Sequence, residues 1–138
     1  MSILAKSLKK EFREQAIIVQ LNKGEMNPLK SKWKENRIIA KSNVFGEFTI
    51  AIDSIKPLIK YNDMDGKTIE FTISDKLSGI SDYRGEINGQ WVLMEYDFKT
   101  NRIKHTFENE PTGRNYRFKL DVLDNVKNQE SISINFIR

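Results

Sequence analysis

Tyr83-Arg84-Gly85-Glu86-Ile87-Asn88-Gly89-Gln90-Trp91-Val92-Leu93-Met94-Glu95-Tyr96-Asp97 is the stretch whose reading decides the fold. Asn88-Gly89 favours the positive φ of a two-residue hairpin turn, and alternating apolar residues flank it. Such a loop sets Ile87 opposite Gln90, Gly85 opposite Val92 and Tyr83 opposite Met94. Tyr83, Ile87, Val92, Met94 and Tyr96 then share one face and are expected in the core. Arg84, Glu86, Trp91, Leu93 and Glu95 take the other face, which leaves Trp91 and Leu93 outward among charges. An outward Trp beside a Leu suggests a surface for a partner. The nearest candidate to cover it is the N-terminal part of the same chain.

Outward from the hairpin, the same period of two recurs, which is the pattern of half-buried strands. Ile69, Phe71 and Ile73 share a parity, as do Tyr116, Phe118, Leu120 and Val122, and Ile132, Ile134 and Phe136. Upstream, Phe48, Ile50 and Ile52 repeat it. Ala16 to Leu21 is continuously apolar and reads as a strand covered on both faces. Ser7 to Gln15 alone has a helical flavour, or forms an extended lead-in. Asp65-Gly66 is expected to make a second positive-φ hairpin turn. Lys99-Thr100-Asn101 and Pro111-Thr112-Gly113 mark further turns. About seven strands follow Pro57 at sandwich spacing. Proline breaks pairing near Asp53-Ser54-Ile55-Lys56-Pro57 and marks a boundary. The expected architecture is all-β: an N-terminal β unit over residues 1–56, then an immunoglobulin/fibronectin-III-like β-sandwich over residues 57–138.

The chain has 138 residues, with 38% hydrophobic and 30% charged, enough to bury a core. No apolar run approaches the roughly 20 residues of a membrane span. The apolar part of Met1–Ser7 is too short for a signal peptide, so an export signal, if the protein uses one, is expected outside this chain. Cysteine is absent, which excludes disulfides and Cys-ligated zinc. The net charge of +4 includes two basic clusters, Lys6, Lys9, Lys10 and Arg13, and Lys30, Lys32, Lys34 and Arg37. With no nucleic-acid motif beside them, they read as solubilising charge and no nucleic-acid partner is expected.

The single histidine, His105, shares parity with Ile103 and Phe107 and reads as an imidazole at the core edge. One histidine cannot supply a His-rich zinc site, and no Gly-x-Ser-x-Gly elbow is present. Glu86, Glu95 and Asp97 on the hairpin, with Glu108 and Glu110, are the carboxylates to weigh for glycoside hydrolysis. Arg84, Arg102 and Lys104 can balance them, and they read as surface charge. Asp53, Asp63, Asp65, Asp75, Asp82, Asp97, Asp121 and Asp124 raise the question of calcium at strand ends. No EF-hand spacing exists, and they read as turn formers. No catalytic, cofactor or metal residue is therefore assigned. The interaction candidates are Trp91, Leu93, Arg84, Glu86 and Trp33.

Several segments together resemble a known family. Asp53-Ser54-Ile55-Lys56-Pro57-Leu58-Ile59 is similar to the D-T-x-x-P-x-I lead-in of bacterial Ig-like modules, and Ser74-Asp75-Lys76-Leu77-Ser78-Gly79-Ile80 to their D-x-x-S-G-I corner. Tyr83 to Asp97 resembles Y-x-G-x-I-D-G-K-W-V-L-M-E-Y-D. Asp121-Val122-Leu123-Asp124-Asn125-Val126-Lys127-Asn128 resembles V-x-D-x-x-G-N, with Lys127 where glycine is usual, and Val44 to Ile50 resembles x-F-G-x-Y-x-I. Over roughly residues 12–138 the chain resembles the C-terminal β/Ig-like accessory region of lysostaphin-type (LytM-like) zinc metallopeptidases of Gram-negative envelopes. Their zinc-binding His-x-x-x-Asp and His-x-His motifs do not occur here. The resemblance implies no cofactor in this chain, and zinc only in a separate catalytic domain acting in cis. It implies a periplasmic or cell-envelope location, with peptidoglycan as a further partner. A free-standing glycan-binding or adhesion module, resting on Trp91, Trp33 and the basic clusters, is the alternative.

Overall fold

The computed structural model describes residues 1–5 and 8–138. Lys6, of the first basic cluster, and Ser7, of the helix-flavoured stretch, lie outside the described residues. Two pairs of antiparallel sheets make up the molecule.

The first pair comes from the N-terminal third. Strands β1 (Ser2–Leu4), β4 (Ser31–Lys34) and β5 (Arg37–Ala40) form one sheet, ordered β1-β5-β4. Strands β2 (Ala16–Asn22), β3 (Glu25–Leu29) and β6 (Glu47–Ile52) form the other, ordered β3-β2-β6. Ala16 and Ile18 of β2 are buried against Ile38 and Ala40 of β5. Ile17 and Val19 emerge on the opposite face of β2 and are buried against Val126 of the C-terminal part, with Leu77 beside them. The unbroken apolar run is thus used on both faces, as its composition requires. The helical flavour of the lead-in reduces to one 3₁₀ turn, Lys10–Phe12.

The second pair comprises β7 (Leu58–Met64), β8 (Thr68–Ser74), β11 (Glu95–Asp97) and β12 (Arg102–Thr106), ordered β11-β12-β8-β7. Facing it are β9 (Ile80–Ile87), β10 (Gln90–Val92), β13 (Asn115–Asp124) and β14 (Gln129–Ile137), ordered β10-β9-β13-β14. The sheets meet through one cluster in which Ile69, Phe71, Ile73, Ile103, Phe118, Leu120 and Val122 are wholly buried. Phe71 stacks on Phe118 across the sheets, centroids 5.4 Å apart. Each such side chain contributes about 1.5–3 kcal/mol of burial free energy, so this cluster dominates the stability of the larger pair. The period-two parities mark these residues correctly. Strands β7, β8, β12 and β11 against β9, β13 and β14 follow the order in which seven-strand immunoglobulin sandwiches divide their strands, and β10 is one further edge strand.

Two expectations need correction. Asp65-Gly66 does not form a positive-φ turn, since Gly66 is absent from the positive-φ residues. Asp65 instead accepts the N–H groups of Lys67 and Thr68, each at 2.7 Å. A side-chain acceptor replaces the backbone twist, and these bonds hold the Asp65 carboxyl below its ordinary pKa. The pairing of Tyr83 with Met94 also does not occur, because β10 ends at Val92. The chain crosses from one sheet to the other at Leu93-Met94, splitting the expected long strand into β10 and β11. The result is eight strands after Pro57 rather than about seven.

Candidate functional site

The Asn88-Gly89 turn forms as its residues dictate, with φ of 50° and 81°. Ile87 pairs with Gln90, Glu86 with Trp91 and Gly85 with Val92. On the inner side, Tyr83, Ile87, Val92 and Tyr96 pack on the core, and Met94 is buried in it. Met94 folds over Gly85 so closely that a Cβ there would lie 2.5 Å from its Sδ. The missing side chain of Gly85 is the space into which Met94 of the crossing chain packs.

On the outer side, Trp91 is 59% exposed and Leu93 61%. Register places Trp91, Glu86, Lys119 and Ser133 in one row across the sheet, and Arg84, Asp121 and Ser131 in the next. Arg84 Nε pairs with Glu86 Oε1 at 2.7 Å, and Lys119 with Asp121 at 3.6 Å. The charges beside Trp91 are thus matched to one another. Glu86 belongs to one sheet and Glu95 and Asp97 to the other, so the hairpin carboxylates are not assembled as a unit.

Trp91, Leu93, Ile87, Val92, Phe107 and Phe136 are among the residues lining a cleft of about 570 Å³ between the open edges of β10 and β12. His105 is at its base, buried as its parity implies, with Nδ1 2.8 Å from the Leu93 carbonyl. At one end Arg138 places its guanidinium 4.2 Å from the Phe107 ring centre and donates to the carbonyls of Asn109 and Gly66.

The N-terminal unit does not cover Trp91, contrary to expectation. It packs at the other end of the sandwich, where Leu77 and Val126 meet Ile17 and Val19. Ile80 pairs with Asp124 and Glu86 with Lys119 along β9, so Trp91 is roughly 20 Å from that junction at the usual strand rise. Trp33 belongs to a different place altogether. It is half-buried against the Ile38 cluster, donates its indole N–H to the Arg13 carbonyl at 2.6 Å, and lies under the Arg13 guanidinium. Arg13, counted with the first basic cluster, is therefore engaged structurally. Lys32, Lys34 and Arg37 share the outward face of β4 and β5.

The junction collects residues that a reading of single segments cannot join. Asp53, Asp75 and Asp124 each bring a carboxylate oxygen within 4.8 Å of the others. Asp53 and Asp124 are buried. Asp53 accepts the N–H groups of Ile55 and Ser78, and Asp124 those of Val126 and Asn128. Asn128 Nδ2 donates to the Asp53 carbonyl and to Asp124, and its Oδ1 accepts from Gln15. Partial burial pushes the Asp75 carboxyl above its ordinary pKa, and the Asp53 and Asp124 charges add to this against the Gly79 N–H. Three carboxylates are hard oxygen donors, but a calcium ion takes about six to eight oxygens. The turn reading accounts for the local N–H bonds from Ile55, Gly79, Val126 and Asn128, but not for the bond from Ser78, which reaches Asp53 across 25 residues. Gln15 and Asn128 escaped the sequence reading; the signal was the corner segments themselves, three of which converge here.

No protein-family model matches the chain, and no curated protein matches it in sequence. Among the described residues, no helix is long and apolar enough to cross a membrane.

Proposed function

We propose that this chain is a non-catalytic accessory module of a peptidoglycan-cleaving cell-envelope metallopeptidase, which positions or gates a catalytic domain carried in cis. The observation that carries the reading is the exposed pair of Trp91, on the edge strand β10, and Leu93, just after it, beside a cleft. Large apolar side chains in such a setting mark contact surfaces. The packed and hydrogen-bonded junction at the opposite end supports a positioning role, because it ties the N-terminal unit to the sandwich and leaves the Trp91 end for another partner. The resemblance of the Tyr83–Asp97 hairpin to the lysostaphin-type accessory region supplies the partner's class.

The test is the complete reading frame of the natural gene. The proposal expects an in-frame peptidase domain with His-x-x-x-Asp and His-x-His motifs. A frame without one would overturn it. In the two-domain protein, Trp91→Ala with Leu93→Ala should lower peptidoglycan cleavage several-fold while the melting temperature stays unchanged.

The exposed indole at a cleft also favours a second reading, a glycan-binding or adhesion module, since aromatic faces stack on apolar ligand faces. Sedimentation with purified peptidoglycan, lost in Trp91→Ala, is its expected outcome. Equal failure of both proteins to sediment would remove it.

A further inference from the structure

The backbone of the β10 edge adds a feature that the exposed side chains alone do not convey. Asn88 N–H donates to the Arg117 carbonyl at 2.9 Å. Bonded positions alternate along an antiparallel ladder, so Glu86 directs its peptide groups toward Lys119 of β13. The Glu86–Trp91 pair is then a non-bonded pair, and the N–H and C=O of Trp91 point away from β9. Among the described residues no strand lies on that side, because β10 is the edge of its sheet. Across the cleft, β11 pairs with β12 only at Arg102, Ile103 and Lys104, so the edge of β12 is open from His105 onward.

Edge strands are normally guarded by charge, proline or a bulge. In the larger sandwich, β7 carries Lys60, Asp63 and a register shift, and β11 carries Glu95 and Asp97, whereas β14 carries Glu130 near its start and no charge from Ser131 to Ile137. β10 is Gln90-Trp91-Val92, with no charge and no proline. The edge that displays an exposed Trp is thus guarded by its shortness alone, and the outward peptide it offers is that of Trp91.

We infer that β10 receives an extended, basic peptide segment of the partner by β-strand addition, with Leu93 and the cleft taking its alternate side chains. This rests on the reading of Trp91 and Leu93 as the contact surface and specifies how that contact is made. Main-chain bonds supply affinity in this mode and side-chain pockets supply selectivity. The sign of the segment follows from the cleft's charges. Glu95 and Glu108 line it, are exposed, and enter no ion pair among the described residues. The Arg138 guanidinium also lines the cleft, held against Phe107 and the carbonyls of Asn109 and Gly66, so the two carboxylates outnumber it. A second copy of this chain pairing edge to edge would set Glu95 and Glu108 near their own images, which disfavours self-association.

The test is a titration of the ¹⁵N-labelled full chain with three synthetic octapeptides, followed by amide shifts and amide exchange. The first alternates valine and threonine with two lysines, the second is the same peptide N-methylated at alternate residues, and the third replaces lysine by glutamate. The first should shift and protect the Trp91 amide, and the other two should bind at least tenfold more weakly. Equal binding of the N-methylated peptide with the Trp91 indole still perturbed would overturn strand addition and leave the contact surface standing. Equal binding of the glutamate peptide would overturn the basic segment. The absence of any shift at Trp91 with all three would overturn the inference, whereas the accessory reading itself stands or falls on the reading frame.

Discussion

Lys127 holds φ at 67°, a conformation that a side chain disfavours by roughly 1–2 kcal/mol. Replacing it by glycine relieves that cost but adds unfolded-state entropy, an opposing effect of about 0.4–1 kcal/mol. Lys127→Gly should therefore stabilise the protein by up to about 1 kcal/mol, read from the denaturant midpoint at constant slope. Gly85 has the opposite character. Its missing side chain is the space that Met94 fills, with Met94 Cγ 2.8 Å and Phe118 Cζ 3.3 Å from where a Cβ would lie. Gly85→Ala should cost about 1–3 kcal/mol as an overpacked core position. The same substitution in a Met94→Ala background should cost less, because the clashing atoms are gone. Gly85 could be recognised in the sequence as a glycine inside a strand. Its reason could not, since Met94 reaches it only after the chain changes sheets.

At the scale of elements, parity identifies both faces of the hairpin, and the exposed state of Trp91 and Leu93 follows from it. Parity does not reveal where a strand stops pairing. The Leu93-Met94 crossing keeps the alternation of inward and outward residues, so one long strand and two short ones look alike in sequence. The Asp65-Gly66 turn departs from expectation for a related reason: an aspartate can close a turn through its side chain, without the positive φ that its glycine neighbour permits. The corner loops gave the least warning. Asp53, Asp75 and Asp124 are far apart in sequence, and only the fold brings their carboxylates together. Partial burial of Asp75, with the neighbouring Asp53 and Asp124 charges adding to it, has a consequence for pH. A carboxyl raised above its ordinary pKa in the folded state stabilises the fold at low pH, and that contribution is lost as pH rises through the folded value. Asp75→Asn removes the charge that faces Asp53 and Asp124 and keeps an acceptor for the Gly79 N–H. The melting temperature of Asp75→Asn relative to the natural protein should therefore climb as pH is raised from about 4 to 7, upward from the ordinary Asp value. A difference that is constant or falls over that range would refute the assignment.

At the scale of the whole molecule, the two sheet pairs share β2, whose Ile17 and Val19 complete the burial of Val126. Asn128 adds bonds to Asp53, Asp124 and Gln15. With this junction intact, the chain should unfold in one transition. Trp33 fluorescence in a Trp91→Phe background reports the N-terminal unit and should coincide with far-UV circular dichroism. Asn128→Ala leaves buried acceptors without a donor and should cost about 1–3 kcal/mol, and it should separate the two transitions if the junction couples the units as described. Among the described residues no such partner lies at the opposite end of the sandwich, and it is there that the accessory reading makes its claim. Amide hydrogen exchange compared between this chain and the protein of the full reading frame tests that claim most directly. The account predicts slowed exchange in the full protein at residues 90–93 and at His105 and Thr106, with the outward face of Lys32, Lys34 and Arg37 unchanged. Equal exchange at residues 90–93 in both proteins would contradict it.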